Sequence, residues 1–143
     1  MSMPATNVSI ASQLKREHAY IHEITRKIEK LVAANKPQRR ALEWSSSLLE
    51  NLSSLREHVE KHFEFEETGG FMEEVMKALP NISPQVEALH HDHEILAYEI
   101  NDLYRRAERL ILDSGPTSRE IGEDIKHFLR LLRVHERKEN ALV

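Results

Sequence analysis

Two His-x-x-x-Glu pairs, His62 with Glu66 and His135 with Glu139, are the residues of this chain best suited to do chemistry. On an α-helix, positions i and i+4 share a face and lie about 6 Å apart along the axis. The imidazole can then bind one metal ion terminally while the longer glutamate reaches across to a second. Two single histidines complete the set: His18 stands 44 residues before His62, and His93 stands 42 before His135. Two helical hairpins thus carry the same feature at nearly the same place. Four imidazoles and two carboxylates gathered in an apolar interior call for a cation. A buried carboxylate left unpaired is costly, and two close together raise each other's pKa. A pair of divalent or trivalent ions keeps the glutamates ionised and the imidazoles neutral. Mixed imidazole and carboxylate ligation suits non-haem iron, with manganese or zinc ranked behind it. Six protein ligands leave positions open on two ions, which points to small-molecule chemistry.

Four long helical patterns must position these residues. The first runs from about residue 12 to 34 and ends at Asn35-Lys36-Pro37; the second runs from about 37 to 67 and ends at Thr68-Gly69-Gly70. A short helical piece, 71–79, leads into Pro80-Asn81-Ile82-Ser83-Pro84. There Ser83 is placed to cap the third long helix, with Pro84 in its first position. The third helix runs to about residue 112. After Asp113-Ser114-Gly115-Pro116, the series Thr117-Ser118-Arg119-Glu120 has the spacing of a capping box for the fourth, which runs to the chain end. Residues 1–11 are read as a flexible N-terminus and 12–143 as one metal-binding domain. Short joints between long amphipathic helices make neighbours antiparallel, which gives an all-α, up-down-up-down four-helix bundle.

Bundle helices bury positions alternating three and four apart. The second helix offers Leu48, Leu52, Leu55, Val59, His62 and Glu66; the fourth offers Ile121, Ile125, Phe128, Leu132, His135, Glu139 and Leu142. In both, the aliphatic stripe runs straight into the His-x-x-x-Glu pair. The first helix contributes Leu14, His18, Ile21, Ile24 and Ile28, and the third Val86, Leu89, His93, Leu96, Ile100 and Leu103. His18 and His93 lie near helix starts, His62 and His135 near helix ends, and in an antiparallel bundle those ends gather at one pole.

A single buried histidine is more often a hydrogen-bonded core residue than a ligand. Six polar residues at one level, in two matching motifs, favour the metal reading. Of the nine histidines, His22, His58 and His90 lie one turn from a seam position and are candidates for further ligands or outer-sphere partners. His91 and His127 read as solvent-facing. Glu87-Ala88-Leu89-His90 has the Glu-x-x-His spacing of ferritin-like sites, but those need a second copy, and none is present. Trp44, Phe63, Phe65 and Phe71 read as packing residues, with Phe63 and Phe65 also able to shield metals from water.

Composition excludes other classes. With no cysteine, the chain has no disulfide, thiolate metal site, iron–sulfur ligation or Cys nucleophile. A net charge of −4 offers no basic surface for nucleic acid. No apolar run approaches the roughly 18 residues of a membrane span, and no signal peptide opens the chain. A soluble, cytoplasmic protein, monomeric or homodimeric, is expected.

The segments Arg16-Glu17-His18, His58 to Glu67, His93-Glu94 and His135 to Glu139 resemble the hemerythrin-like, or HHE cation-binding, domain. The resemblance covers the chain from about residue 12 to the end. It implies a hemerythrin-like bundle in which His18 and His62 hold one iron, His93 and His135 the other, and Glu66 and Glu139 bridge them. Oxygen-carrying members use five histidines, the extra one four residues before the histidine of the third helix, where this chain has Leu89. Their last carboxylate lies five residues after its histidine; here Glu139 lies at four and Asn140 at five. Both departures point to the four-His, two-Glu centre of di-iron proteins linked to iron–sulfur repair and nitric oxide stress. Without cysteine, repair by direct thiol chemistry is not expected. The expected function is a non-haem di-iron protein that binds, senses or reduces O2, nitric oxide or peroxide, or handles iron under oxidative or nitrosative stress. The competing reading is a helical interaction module with a structural or regulatory metal. The residues do not decide between binding and turnover.

Overall fold

The computed structural model describes residues 3–34, 41–111 and 118–142. The elements are α1 (Met3–Ala33), α2 (Ala41–Thr68), α3 (Phe71–Ala78), α4 (Ser83–Ile111) and α5 (Ser118–Asn140), with one 3-10 turn, Pro80–Ile82, between α3 and α4. α1 packs on α2, α2 on α4, α4 on α5 and α5 back on α1, closing a ring of four long helices. Contacts near opposite helix ends set the directions. Trp44 Nε1, near the start of α2, donates to the Leu31 carbonyl oxygen near the end of α1 at 2.7 Å. Arg106, near the end of α4, meets Asp124, near the start of α5, at 2.6 Å. The described residues form an all-α bundle of four long helices and one short one.

The stripe positions the periodicity selects on α2 and α5, from Leu48 to Glu66 and from Ile121 to Glu139, are buried, as are those of α1 and α4, while Leu142 is only partly buried. The apolar part falls into two clusters. The larger fills the bundle through Ile21, Leu52, Ile100 and Phe128 and their neighbours. The smaller joins Leu14, Phe71, Met72, Val75, Val86 and Leu89. α3 supplies three of those six residues and so plugs the pole where α2 ends and α4 begins.

The plug depends on a two-glycine turn. Gly69 N–H donates to the Phe65 carbonyl oxygen at 2.8 Å, closing the last turn of α2. Gly70 then takes φ 100°, the left-handed region that glycine enters without penalty. Its own carbonyl accepts from Glu74 N–H at 2.9 Å, which starts α3 at once.

Two local expectations change. α1 starts at Met3 and not at Ser12, so it takes in most of the 1–11 stretch expected to be a flexible N-terminus. Pro4 sits in the first turn, where its missing N–H costs nothing, and no breaker follows. Ser83 does not cap α4 from outside. The 3-10 turn, held by Ile82 N–H on the Leu79 carbonyl at 3.0 Å, delivers Ser83 already helical at φ −50°, ψ −44°. The joints at 35–37 and 113–116 and the Thr117 capping box lie outside the described residues. Among the described residues no helix is long and apolar enough to cross a membrane.

A Cβ on Gly69 would collide with the Phe65 carbonyl oxygen. Gly69→Ala should therefore destabilise the protein by about 2 kcal/mol, a fall in Tm of roughly 5–10 °C. Thermal circular dichroism checks this, with exposed Lys77→Ala as the unchanged control.

Candidate metal centre

The long helices bring all six seam residues to one layer between the two apolar clusters. His18, His62, Glu66 and Glu139 form one group, and Glu66, His93, His135 and Glu139 a second; within each, one donor atom per residue lies within 4.8 Å of the others. Glu66 and Glu139 belong to both, and both are 0% exposed. His18 Nε2 stands 3.1 Å from His62 Nε2 and 3.0 Å from Glu139 Oε1. His62 Nε2 is 3.5 Å from Glu66 Oε1, and His93 Nε2 is 3.0 Å from that same oxygen. His135 Nε2 lies 3.1 Å from Glu139 Oε2, and His93 Nε2 3.7 Å from it.

These spacings fit a metal better than they fit hydrogen bonds. Donors around one ion at bond lengths of about 2.0–2.2 Å stand about 3.0–4.4 Å apart. Despite the short distances, both oxygens of Glu66, Oε2 of Glu139 and Nε2 of His93 and His135 are buried without a hydrogen-bond partner. Such orphaned groups are rare in folded proteins and costly. The far side of the rings explains why. His62 Nδ1 donates to Glu17 Oε1 at 2.7 Å, His93 Nδ1 to Glu67 Oε2 at 2.6 Å, and His135 Nδ1 to Asp92 Oδ2 at 3.1 Å. With the proton on Nδ1, Nε2 of His93 and of His135 turns a lone pair inward, and lone pairs facing carboxylates are satisfied together only by a cation.

Electrostatics divide the rings, with His62 charged and His93 and His135 neutral in the absence of metal. Burial works against a charge on His62, but the carboxylates of Glu139 and Glu17 outweigh it and raise its pKa to about 9. Burial pushes His93 down, and His135 down to about 4, which leaves their rings neutral.

The supporting acids follow a rule that the sequence reading did not extract. Glu17 of α1 serves His62 of α2, Glu67 of α2 serves His93 of α4, and Asp92 of α4 serves His135 of α5. Glu136 of α5 faces His18 of α1 across 3.9 Å, too far for a hydrogen bond. Each acid is the sequence neighbour of a seam residue: Glu17-His18, Glu66-Glu67, Asp92-His93, His135-Glu136. One residue is about 100° of helix, so when a seam residue faces the centre its neighbour faces the adjoining helix. That adjacency was the available signal.

The remaining candidates lie outside the layer. His90 is half-exposed and holds Glu67 at 2.9 Å, behind His93. His22 is half-exposed, 3.2 Å from Glu136. His58 turns away, its Nδ1 donating to the Ser54 carbonyl at 2.9 Å. His91 and His127 are exposed. Phe63 stacks on His93 at 4.0 Å between centroids and meets His135 edge-on at 5.7 Å. Phe65 packs with Phe71 in the apolar α3 plug, and Trp44 with the main core. Leu89 is buried in the plug, so no fifth imidazole reaches the centre from that position.

A helical bundle with paired His/Glu groups in one buried layer is a cation-binding domain by its architecture. The family model for the hemerythrin HHE cation-binding domain matches residues 9–143, and the chain belongs to that family. No curated protein and no solved structure matches it.

Removing one supporting acid should loosen a ligand without unfolding the bundle. Glu67→Gln is expected to weaken metal binding by about 10–100-fold. Competitive titration against a chelator of known affinity measures this, with circular dichroism as the check on folding.

Proposed function

We propose that this chain is a non-haem di-iron protein that binds, senses or reduces O2, nitric oxide or peroxide, or handles iron under oxidative or nitrosative stress. One observation carries the reading: Glu66 and Glu139 each take part in both donor groups, as bridging carboxylates must. His18 and His62 would hold one ion, and His93 and His135 the other. Each ion then has two imidazole nitrogens and two carboxylate oxygens, which leaves about two positions of an octahedron open. When bound, the metal pair would supply those positions, and electrons, to a small molecule.

The chain's own residues do the rest. Glu17, Glu67 and Asp92 fix the imidazole tautomers. Phe63 covers the His93 and His135 rings, and the α3 plug keeps bulk water from the pole. Leu89 leaves the two donor groups matched at two histidines each, unlike the five-histidine pattern of oxygen carriers.

Protein loaded with ferrous iron without oxygen should contain two irons per chain, and its optical spectrum should change on adding nitric oxide, oxygen or peroxide. Less than one metal per chain would refute the reading. A sign reversal gives a second test. In metal-free protein Glu66→Gln removes a buried charge and should raise Tm. In iron-loaded protein the same variant should lose most of the rise that metal gives the parent. Equal metal content in parent and variant would end the bridging role.

A further inference from the structure

The four sides of the metal layer are not closed alike. The seams α1/α2, α2/α4 and α4/α5 are each crossed by an acid hydrogen-bonded to a seam imidazole, at 2.7, 2.6 and 3.1 Å. The pole is filled by the α3 plug and the opposite side by the main core. The α5/α1 seam differs. Its acid, Glu136, is only 4% exposed, yet it makes no hydrogen bond to a seam imidazole. Its Oε2 sits between His18 Nδ1 at 3.9 Å and His22 Nε2 at 3.2 Å. Of the four ring contacts, the one between α1 and α5 is the sparsest.

A cavity of about 310 Å³ opens at that place, with Glu136, His22, Arg26, Arg137 and Asn140 in its wall. A second of about 380 Å³ continues along the same seam, sharing Arg133 with the first. Among the described residues, Glu136 both lines the first cavity and faces a seam imidazole.

We infer that the ion held by His18 and His62 is the exchangeable one of the pair, reached through the α1/α5 cavity with Glu136 as its hand-over carboxylate. The inference rests on the two-ion reading above and adds an asymmetry to it. An imidazole whose Nδ1 is anchored keeps its Nε2 aimed at the ion; His18 lacks that anchor, so it rotates off more readily. A buried carboxylate committed to no seam imidazole can take an ion passing from His18, and His22, 3.2 Å from it, stands next to it toward solvent. Arg133 is neutralised by Glu29, whereas Arg26 and Arg137 leave positive charge on the cavity wall. That charge repels a bare cation and attracts an anionic chelator, so exchange favours an ion carried by anionic oxygen or sulfonate ligands.

The test is the release of iron from ferrous-loaded protein, followed by absorbance with neutral 1,10-phenanthroline and with the anionic sulfonated chelator ferrozine. Half the iron should leave in a fast phase and half in a slow one. Asn140→Trp, which fills the cavity from its exposed rim, should slow only the fast phase, about fivefold or more. Glu17→Gln should speed only the fast phase and Asp92→Asn only the slow one, because they loosen His62 and His135 respectively. Arg26→Ala with Arg137→Ala should slow the fast phase with ferrozine and not with phenanthroline. Two irons leaving in a single phase, or an Asn140→Trp protein with both phases unchanged, would overturn the inference and leave the di-iron reading standing. Fewer than two irons at the start would overturn both.

Discussion

Two glutamates with no exposed surface govern this molecule. Glu66 and Glu139 sit at the same level of the bundle, within reach of four imidazoles, and three of their four oxygens have no hydrogen-bond partner. Two carboxylates in that position are mutually repulsive and poorly solvated. Protonation relieves the repulsion at the expense of the ligand set, and a charged His62 relieves only part of it. A metal pair relieves all of it and satisfies the inward lone pairs of the histidines as well. The rest of the structure can be understood as what is needed to hold six such residues together until the cations arrive: a long aliphatic core on one side, an apolar plug on the other, and a second set of acids around the ring.

That second set has its own logic. A histidine anchored by its own helix would move with that helix alone. Here the anchors cross to the next helix, so Glu17, Glu67 and Asp92 tie α1 to α2, α2 to α4 and α4 to α5 through the same rings that face the buried glutamates. Ligand orientation and bundle closure therefore become one property. Outside them stands a further layer, with Gln13 on Glu17, His90 on Glu67 and Lys138 on Asp92. Solvent-exposed charge is thereby graded toward the buried ligands.

Much of this was legible in the sequence because helical periodicity is a long-range signal when it runs uninterrupted. Leu48 to Glu66 and Ile121 to Glu139 mark one face over five turns each, so a phase error would have thrown the aliphatic residues outward together with the ligands. The family resemblance and the burial pattern agree on the bundle. What the sequence hid was local or pairwise. Ser83 looks like a cap, but the geometry of a preceding 3-10 turn decides whether it is inside or outside the helix. Glu17 and Glu67 look like ordinary surface acids until the neighbouring helix is in place. His58 shares its turn with His62, but a local acceptor, the Ser54 carbonyl, claims its ring. The length of α1 escaped because Pro4, usually a breaker, is harmless in a first turn.

The unequal seams follow from the same residue choices. At the far pole α1 and α5 come close: Gly122 faces Val32, and a Cβ there would already stand 3.4 Å from Val32 Cγ1. Toward the metal layer the facing positions become Thr25, Arg26 and Glu29 on α1 and Arg133, Glu136 and Arg137 on α5, whose bulk and charge resist close packing. Both cavities of the α1/α5 seam lie among these residues. α2 and α4 show the contrast, since Arg56 lies over the Tyr104 ring at 4.1 Å and reaches Asn101, filling their seam with satisfied contacts. A bundle built only for stability would close all four sides alike. This one leaves two cavities along the α1/α5 seam, the first lined by Glu136, which faces the one seam imidazole whose Nδ1 has no hydrogen-bonded acid.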